Sequence, residues 1–137
     1  MNIFCYGSLM YPEVWNLIVK GRYQQQQAKI CGYRRKKVKN ELYPGLMPTL
    51  PEDTVEGTVY FRVTDEDLTR LDLFEGELYI RIKVNCFLVN NSCIEAFTYL
   101  IHPQKQTVLE PEDWNQQEFA TNGLTRFLNK YQGFTAF

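Results

Sequence analysis

The chain has 137 residues, of which 45% are hydrophobic and 15% aromatic, and it carries a formal net charge of -1. That length and apolar content suffice for one closed core without disulfide staples, so a single domain spanning 1–137 is expected. The near-neutral charge gives no electrostatic reason to expect nucleic acid or an anionic membrane as partner, and no run approaches the ~18 apolar residues of a membrane helix.

The N-terminus lacks the charged-then-apolar order of a secretory signal, which points to a soluble, cytoplasmic protein. The four cysteines, Cys5, Cys31, Cys86 and Cys93, show no C-x-x-C spacing and are scattered among strand-like segments, so they read as reduced core thiols.

Taken in order, Asn2–Tyr6 reads as a strand that breaks at Gly7-Ser8 and leads into an amphipathic segment. Gly7 permits a positive φ, and the amides around Ser8 just ahead of a helix would make a small site for a carboxylate or oxyanion. Pro12 suits a first helical turn, and Val14, Trp15, Leu17 and Ile18 give an apolar helix face ending near Gly21. Tyr23–Val38 reads as one long strand bent near Gly32. Its basic run from Arg34 to Lys39 points to both faces and reads as a solvated strand end. Leu42–Pro48 is too rich in proline for a helix or a central strand and should be a loop or edge.

Thr54–Val63 alternates cleanly, with Val55, Gly57, Val59, Phe61 and Val63 on the buried face and Tyr60 among the polar set. Thr64 and Asp67 resemble a capping box opening a helix through Leu68, Leu71 and Phe74, which delivers Glu75 just before Gly76. Leu78–Val89 and Cys93–Ile101 form a hairpin about Asn90-Asn91-Ser92, a turn that places Cys86 and Cys93 off each other's register. Glu112–Ala120 reads as a helix, and Leu124, Phe127, Leu128 and Tyr131 as a final helix stopped by Gly133. Strands with interspersed helices make this an α+β chain with a strongly curved or closed sheet.

These pieces, in order, carry a resemblance. Tyr6-Gly7-Ser8-Leu9, Gly32-Tyr33-Arg34, Tyr43-Pro44-Gly45, Val55-Glu56-Gly57, the run Leu71 to Gly76 with Tyr79, Arg81 and Val84, and Ala96-Phe97-Thr98-Tyr99 resemble the gamma-glutamylcyclotransferase-like family, including its AIG2-like and gamma-glutamylamine cyclotransferase branches. The resemblance implies a small mixed, mostly antiparallel closed β-barrel with flanking helices and a cavity at one end. It implies substrate binding by Tyr6, Gly7, Ser8 and Leu9, with Tyr79 and Tyr99 as further pocket residues, and catalysis by Glu75. It implies no cofactor and no metal, a small γ-glutamyl compound as partner, and leaves the oligomeric state open.

The chemistry stands apart from the family. In a γ-glutamyl amide, peptide or amine the substrate's α-amino group reaches its own γ-carbonyl, closing 5-oxoproline and expelling the amine. Such a reaction needs a folded-back pose, which can supply up to ~7–11 kcal/mol, and a base to move one proton. An ordinary glutamate, near ~4.3, is too weak a base, so Glu75 should be raised by apolar neighbours such as Phe74. Glu56, Asp72 and Glu77 compete for the role. His102, the only histidine, makes neither a triad nor a metal site alone, and Cys5 has no activating partner in sequence. Two alternatives stay open: a non-catalytic binder of small carboxylates or γ-glutamyl compounds, and an acyltransferase of the same fold.

Overall fold

The computed structural model describes residues 1–130. The strands are β1 (Ile3–Cys5), β2 (Gln25–Cys31), β3 (Tyr33–Val38), β4 (Pro44–Pro48), β5 (Thr54–Tyr60), β6 (Tyr79–Leu88), β7 (Cys93–Ile101) and β8 (Leu109–Asp113). The helices are α1 (Pro12–Ile18), α2 (Asp65–Glu75), α3 (Gln116–Glu118) and, after a π-helical turn at Phe119–Gly123, α4 (Leu124–Lys130). The architecture is α+β. Tyr131 and Gly133, the expected end of the last helix, lie outside the described residues.

Five strands close into a barrel in the order β1-β5-β2-β6-β7, antiparallel except where β1 runs parallel to β7 at Ile3 and Phe97. The other three form a sheet, β4-β3-β8. The expected long strand is therefore two strands in different sheets. The corner is Gly32, at φ +90, a conformation open to glycine at no steric cost. The proline-rich stretch forms the outer strand β4, with Pro44 and Pro48 at its ends, where a missing N–H leaves no central ladder broken.

Alternation along the strands builds two apolar clusters. Phe4, Ile30, Val55, Val59, Val84, Cys86 and Ala96 form one. Ile3, Cys5, Tyr60, Tyr99 and Ile101 point the other way and join Val14, Trp15, Leu71 and Phe127 of the helices in the second. Tyr60 thus departs from the polar face expected for it: only 2% exposed, it stacks on Trp15 with ring centroids 3.7 Å apart. Helix α1 covers that end of β5, so both strand faces are apolar there.

Two further expectations are corrected. No helix begins at Glu112; that segment is β8, paired with β3, and helix starts only at Gln116. Its acidic residues meet the basic run, with Lys36 2.8 Å and Arg34 3.8 Å from Asp113, and Lys37 3.5 Å from Glu112. The basic run is thus a solvated strand face whose charges pair with those of β8. Of the free cysteines, Cys5 and Cys86 are buried, but Cys31 and Cys93 are exposed. Cys86 faces Ile94 and Phe87 faces Cys93, so the hairpin thiols stay out of register as expected. Among the described residues no helix is long and apolar enough to cross a membrane.

Helix α2 is fixed at its start. The Thr64 hydroxyl accepts from the Asp67 N–H at 3.2 Å, but Asp67 does not complete a capping box. Its carboxylate, 2% exposed, instead accepts from the Lys20 and Gly21 amides at 2.9 Å each, the Tyr23 hydroxyl at 2.5 Å and Arg70 at 2.6 Å. Burial alone would push this carboxyl up, yet the hydrogen bonds, that of Tyr23 foremost, outweigh burial and bring it down to about 2.

Asp67→Asn leaves donors unpaired and should cost about 2–4 kcal/mol of unfolding free energy at pH 7. A depressed carboxyl stabilises the fold above its unfolded pKa and loses that contribution as pH falls through about 2. Denaturant unfolding should therefore show a constant deficit from pH 5 to 8 that narrows below pH ~4.

Candidate active site

Strand β1 delivers Tyr6, whose buried hydroxyl donates to the Tyr99 carbonyl of β7 at 2.6 Å. A single 3-10 turn follows at Ser8–Met10, in which the Met10 N–H reaches the Gly7 carbonyl and the Tyr11 N–H the Ser8 carbonyl. No hydrogen bond among the described residues uses the N–H groups of Gly7, Ser8 or Leu9. Gly7 does not have the expected positive φ; it sits at φ -129. Close approach explains the glycine, because a Cβ there would lie 2.7 Å from Cγ of Pro44.

Helix α2 stops at Gly76, φ +71, and its last residue is Glu75. No hydrogen bond or ion pair among the described residues engages the Glu75 carboxyl. Burial raises it from the ordinary 4.5 to about 8, and the Asp72 charge one turn earlier adds to the rise. The negative end of the helix dipole acts in the same direction. Asp72 is itself held, 2.9 Å from Arg81 and accepting the Tyr99 hydroxyl at 2.6 Å. Burial and Asp72 together push the Tyr99 phenol well up, so it remains a donor.

These groups meet in one cavity of about 80 Å³. Every residue expected at the site lines it: Tyr6, Gly7, Ser8 and Leu9 from the first loop, Glu75 from α2, Tyr79 from β6 and Tyr99 from β7. Cys5, Tyr43, Pro44, Phe74 and Phe127 are the other described lining residues. Pro44 was legible only as part of a shared motif, and Phe127, from the far end of the chain, gave no local signal. Tyr79 is anchored by its hydroxyl, which donates to the Pro44 carbonyl at 2.7 Å.

The competing groups lie elsewhere. Glu75 is the single carboxylate among the described lining residues, while Glu56 and Glu77 do not line the cavity and Asp72 is held by Arg81 and Tyr99. Cys5 lies in the wall, but burial, with Glu75 nearby, pushes its thiol well up, away from the nucleophilic thiolate. The ring of His102 accepts from the Gln104 N–H at 3.1 Å and closes a turn. Among the described residues no group of three or more metal-ligating side chains is found.

The architecture and the sequence can be placed among known proteins. Residues 3–116 match the family model described as gamma-glutamyl cyclotransferase, AIG2-like. The chain belongs to that family. AIG2-like protein D of Arabidopsis thaliana is 35% identical over 121 residues, covering 84% of this chain and 79% of that protein. AIG2-like protein A of the same plant is 28% identical over 96% of this chain and 79% of its own length. A solution structure from Arabidopsis thaliana superposes with TM-score 0.72 at 26% identity, over 96% of this chain and 79% of that one. A structure named gamma-glutamyl cyclotransferase superposes with TM-score 0.66 over 96% of this chain and 86% of that one; at 18% identity this shows the shared fold.

Two measurements check the electrostatics of this family member. Asp72→Asn removes the negative neighbour and should lower the Glu75 pKa, read from the side-chain carboxyl carbon shift in an NMR titration. An unmoved midpoint would mean that burial alone sets it. A carboxyl raised to about 8 also binds a proton more tightly folded than unfolded, so its contribution is complete below pH 4.5 and is lost as pH rises through about 8. Glu75→Gln should therefore melt with wild type near pH 4.5 and several degrees higher at pH 9, at ~3–5 °C per kcal/mol for a chain of this size.

Proposed function

We propose that the chain is a cyclotransferase that releases 5-oxoproline and a free amine or amino acid from a γ-glutamyl amide, peptide or amine. One observation carries this reading: a carboxyl raised to about 8 shares an 80 Å³ cavity with Gly7, Ser8 and Leu9, whose N–H groups no hydrogen bond among the described residues uses.

The nucleophile arrives with the substrate. Held folded back, its α-amino nitrogen attacks the γ-carbonyl carbon, the carbonyl oxygen becomes an oxyanion, and the bond to the leaving nitrogen breaks as the five-membered ring closes. Ionised Glu75 takes one proton from the α-ammonium and delivers it to the departing nitrogen, and the second proton shed by the ring nitrogen passes to the freed amine, which leaves as an ammonium. A base near 8 suits that task far better than an ordinary glutamate, because it lies much closer to the pKa of an amine. The Gly7, Ser8 and Leu9 amides supply donors for the substrate α-carboxylate or the oxyanion, where a single well-placed donor is worth ~3–4 kcal/mol. Phe74, Tyr79, Tyr99 and Phe127 line the same cavity and give the base a largely apolar surround. The residues proposed as substrate-binding are Tyr6, Gly7, Ser8, Leu9, Tyr79 and Tyr99, with Glu75 catalytic.

The test is 5-oxoproline release, measured by mass spectrometry over a panel of γ-glutamyl amides, dipeptides and amines. Wild type should release it with kcat/KM rising with pH to a plateau above about 8. Glu75→Gln should lose ~10²–10⁴-fold. Equal rates from the two proteins would remove Glu75 from the base role, and no product from either would leave a pocket protein that binds small carboxylates without turning them over.

A further inference from the structure

Arg35, from β3, is engaged on all sides. Its Nη1 donates to the Tyr6 carbonyl at 2.8 Å and to the Glu56 carbonyl at 3.3 Å, and its Nη2 donates to Oε1 of Gln116 at 3.2 Å. The guanidinium lies over the Trp114 ring, 5.3 Å from its centre. Arg34, Lys36 and Lys37 of the same strand pair with carboxylates of β8 or the neighbouring loop, whereas Arg35 spends its charge on the peptide that begins the candidate site.

That peptide joins Tyr6 to Gly7. No described peptide bond is cis, and in a trans peptide the carbonyl and the N–H point in opposite directions. With the Tyr6 carbonyl turned toward Arg35, which does not line the cavity, the Gly7 N–H is turned away from it, and Gly7 does line the cavity. A cationic donor on the carbonyl also draws electron density through the amide and sharpens the N–H on its far side as a donor. We propose that Arg35 is a positioning residue: gripping the Tyr6 carbonyl, it aims and polarises the Gly7 N–H that meets the anionic part of the ligand.

This rests on the cyclotransferase reading for its effect on rate, but the amide itself can be read without turnover. Wild type, Arg35→Lys and Arg35→Met would be compared as full-length, ¹⁵N-labelled proteins. Loss of the guanidinium in Arg35→Met should move the Gly7 amide proton upfield, weaken its response to added 5-oxoproline or L-glutamate, and lower kcat/KM by about ten- to a hundredfold. The pH at which the rate reaches its plateau should stay in place, because Glu75 is untouched. Arg35→Lys keeps the cation but not the fork, and should fall between the two in amide shift and in rate.

An Arg35→Met protein that folds with a wild-type Gly7 resonance and wild-type kcat/KM overturns the proposal. Should Arg35→Met fail to fold, Arg35→Lys decides in the same way, an unchanged amide and rate overturning it. Should wild type release no 5-oxoproline, the cyclotransferase reading fails, and the Gly7 shift and its ligand response still decide the role of Arg35.

Discussion

The seam between β1 and β7 is the constraint on which the rest depends. The two strands share a single ladder pairing, and side chains reinforce it: the Thr98 hydroxyl donates to the Phe4 carbonyl at 2.8 Å, the Tyr6 hydroxyl to the Tyr99 carbonyl, and the Asn2 amide to the Glu95 carbonyl at 3.1 Å. Closing the barrel there removes the sheet edges and puts the Tyr6–Leu9 turn beside Tyr99. Tyr99 in turn reaches Asp72 on α2, one turn before Glu75. A chain of short contacts thus runs from the barrel closure to the candidate base.

Helix α2 carries that base with both ends fixed. At its start the Asp67 carboxylate takes four donors from α1's exit, Tyr23 and its own next turn. At its end Gly76 breaks the helix, and Asp72 ties it to β6 and β7 through Arg81 and Tyr99. The two carboxylates that hold the helix are hydrogen-bonded, while Glu75, at its tip, is half-buried with no hydrogen-bond partner among the described residues. The helix is held by satisfied charges and carries at its end a carboxyl that lines the cavity.

What the sequence made legible was local. The Gly-Ser break after β1, the alternation of β5, the Thr64 cap and the Asn-rich hairpin turn each rest on neighbours within a few residues, and each stands where the pattern placed it, as does Glu75 at the end of its helix. What was hidden depends on partners far along the chain. Tyr60 looked polar because alternation knows nothing of Trp15 stacking on it. Glu112 and Asp113 looked like helix starters because their pairing with the basic run of β3 spans most of the molecule. Gly7 looked like a positive-φ turn, whereas the reason for a glycine is Pro44 pressed against it from another sheet. Phe127 and Pro44 entered the cavity wall unannounced for the same reason.

The electrostatics of the cavity are self-consistent with an anionic ligand that carries an ammonium. Near neutral pH a carboxyl raised to about 8 is largely protonated, so it does not repel an arriving α-carboxylate, and the three amide N–H groups offer that carboxylate donors. An ammonium brought against Glu75 favours its charged form and draws the pKa back down, giving a carboxylate–ammonium pair poised for proton transfer once water is excluded. A permanently ionised acid would instead oppose the carboxylate on entry, and a fully unburied one would be too weak a base to accept the proton. The position of Glu75, half-buried against apolar rings yet beside Asp72 rather than a cation, supplies the intermediate basicity that the proposed ring closure requires.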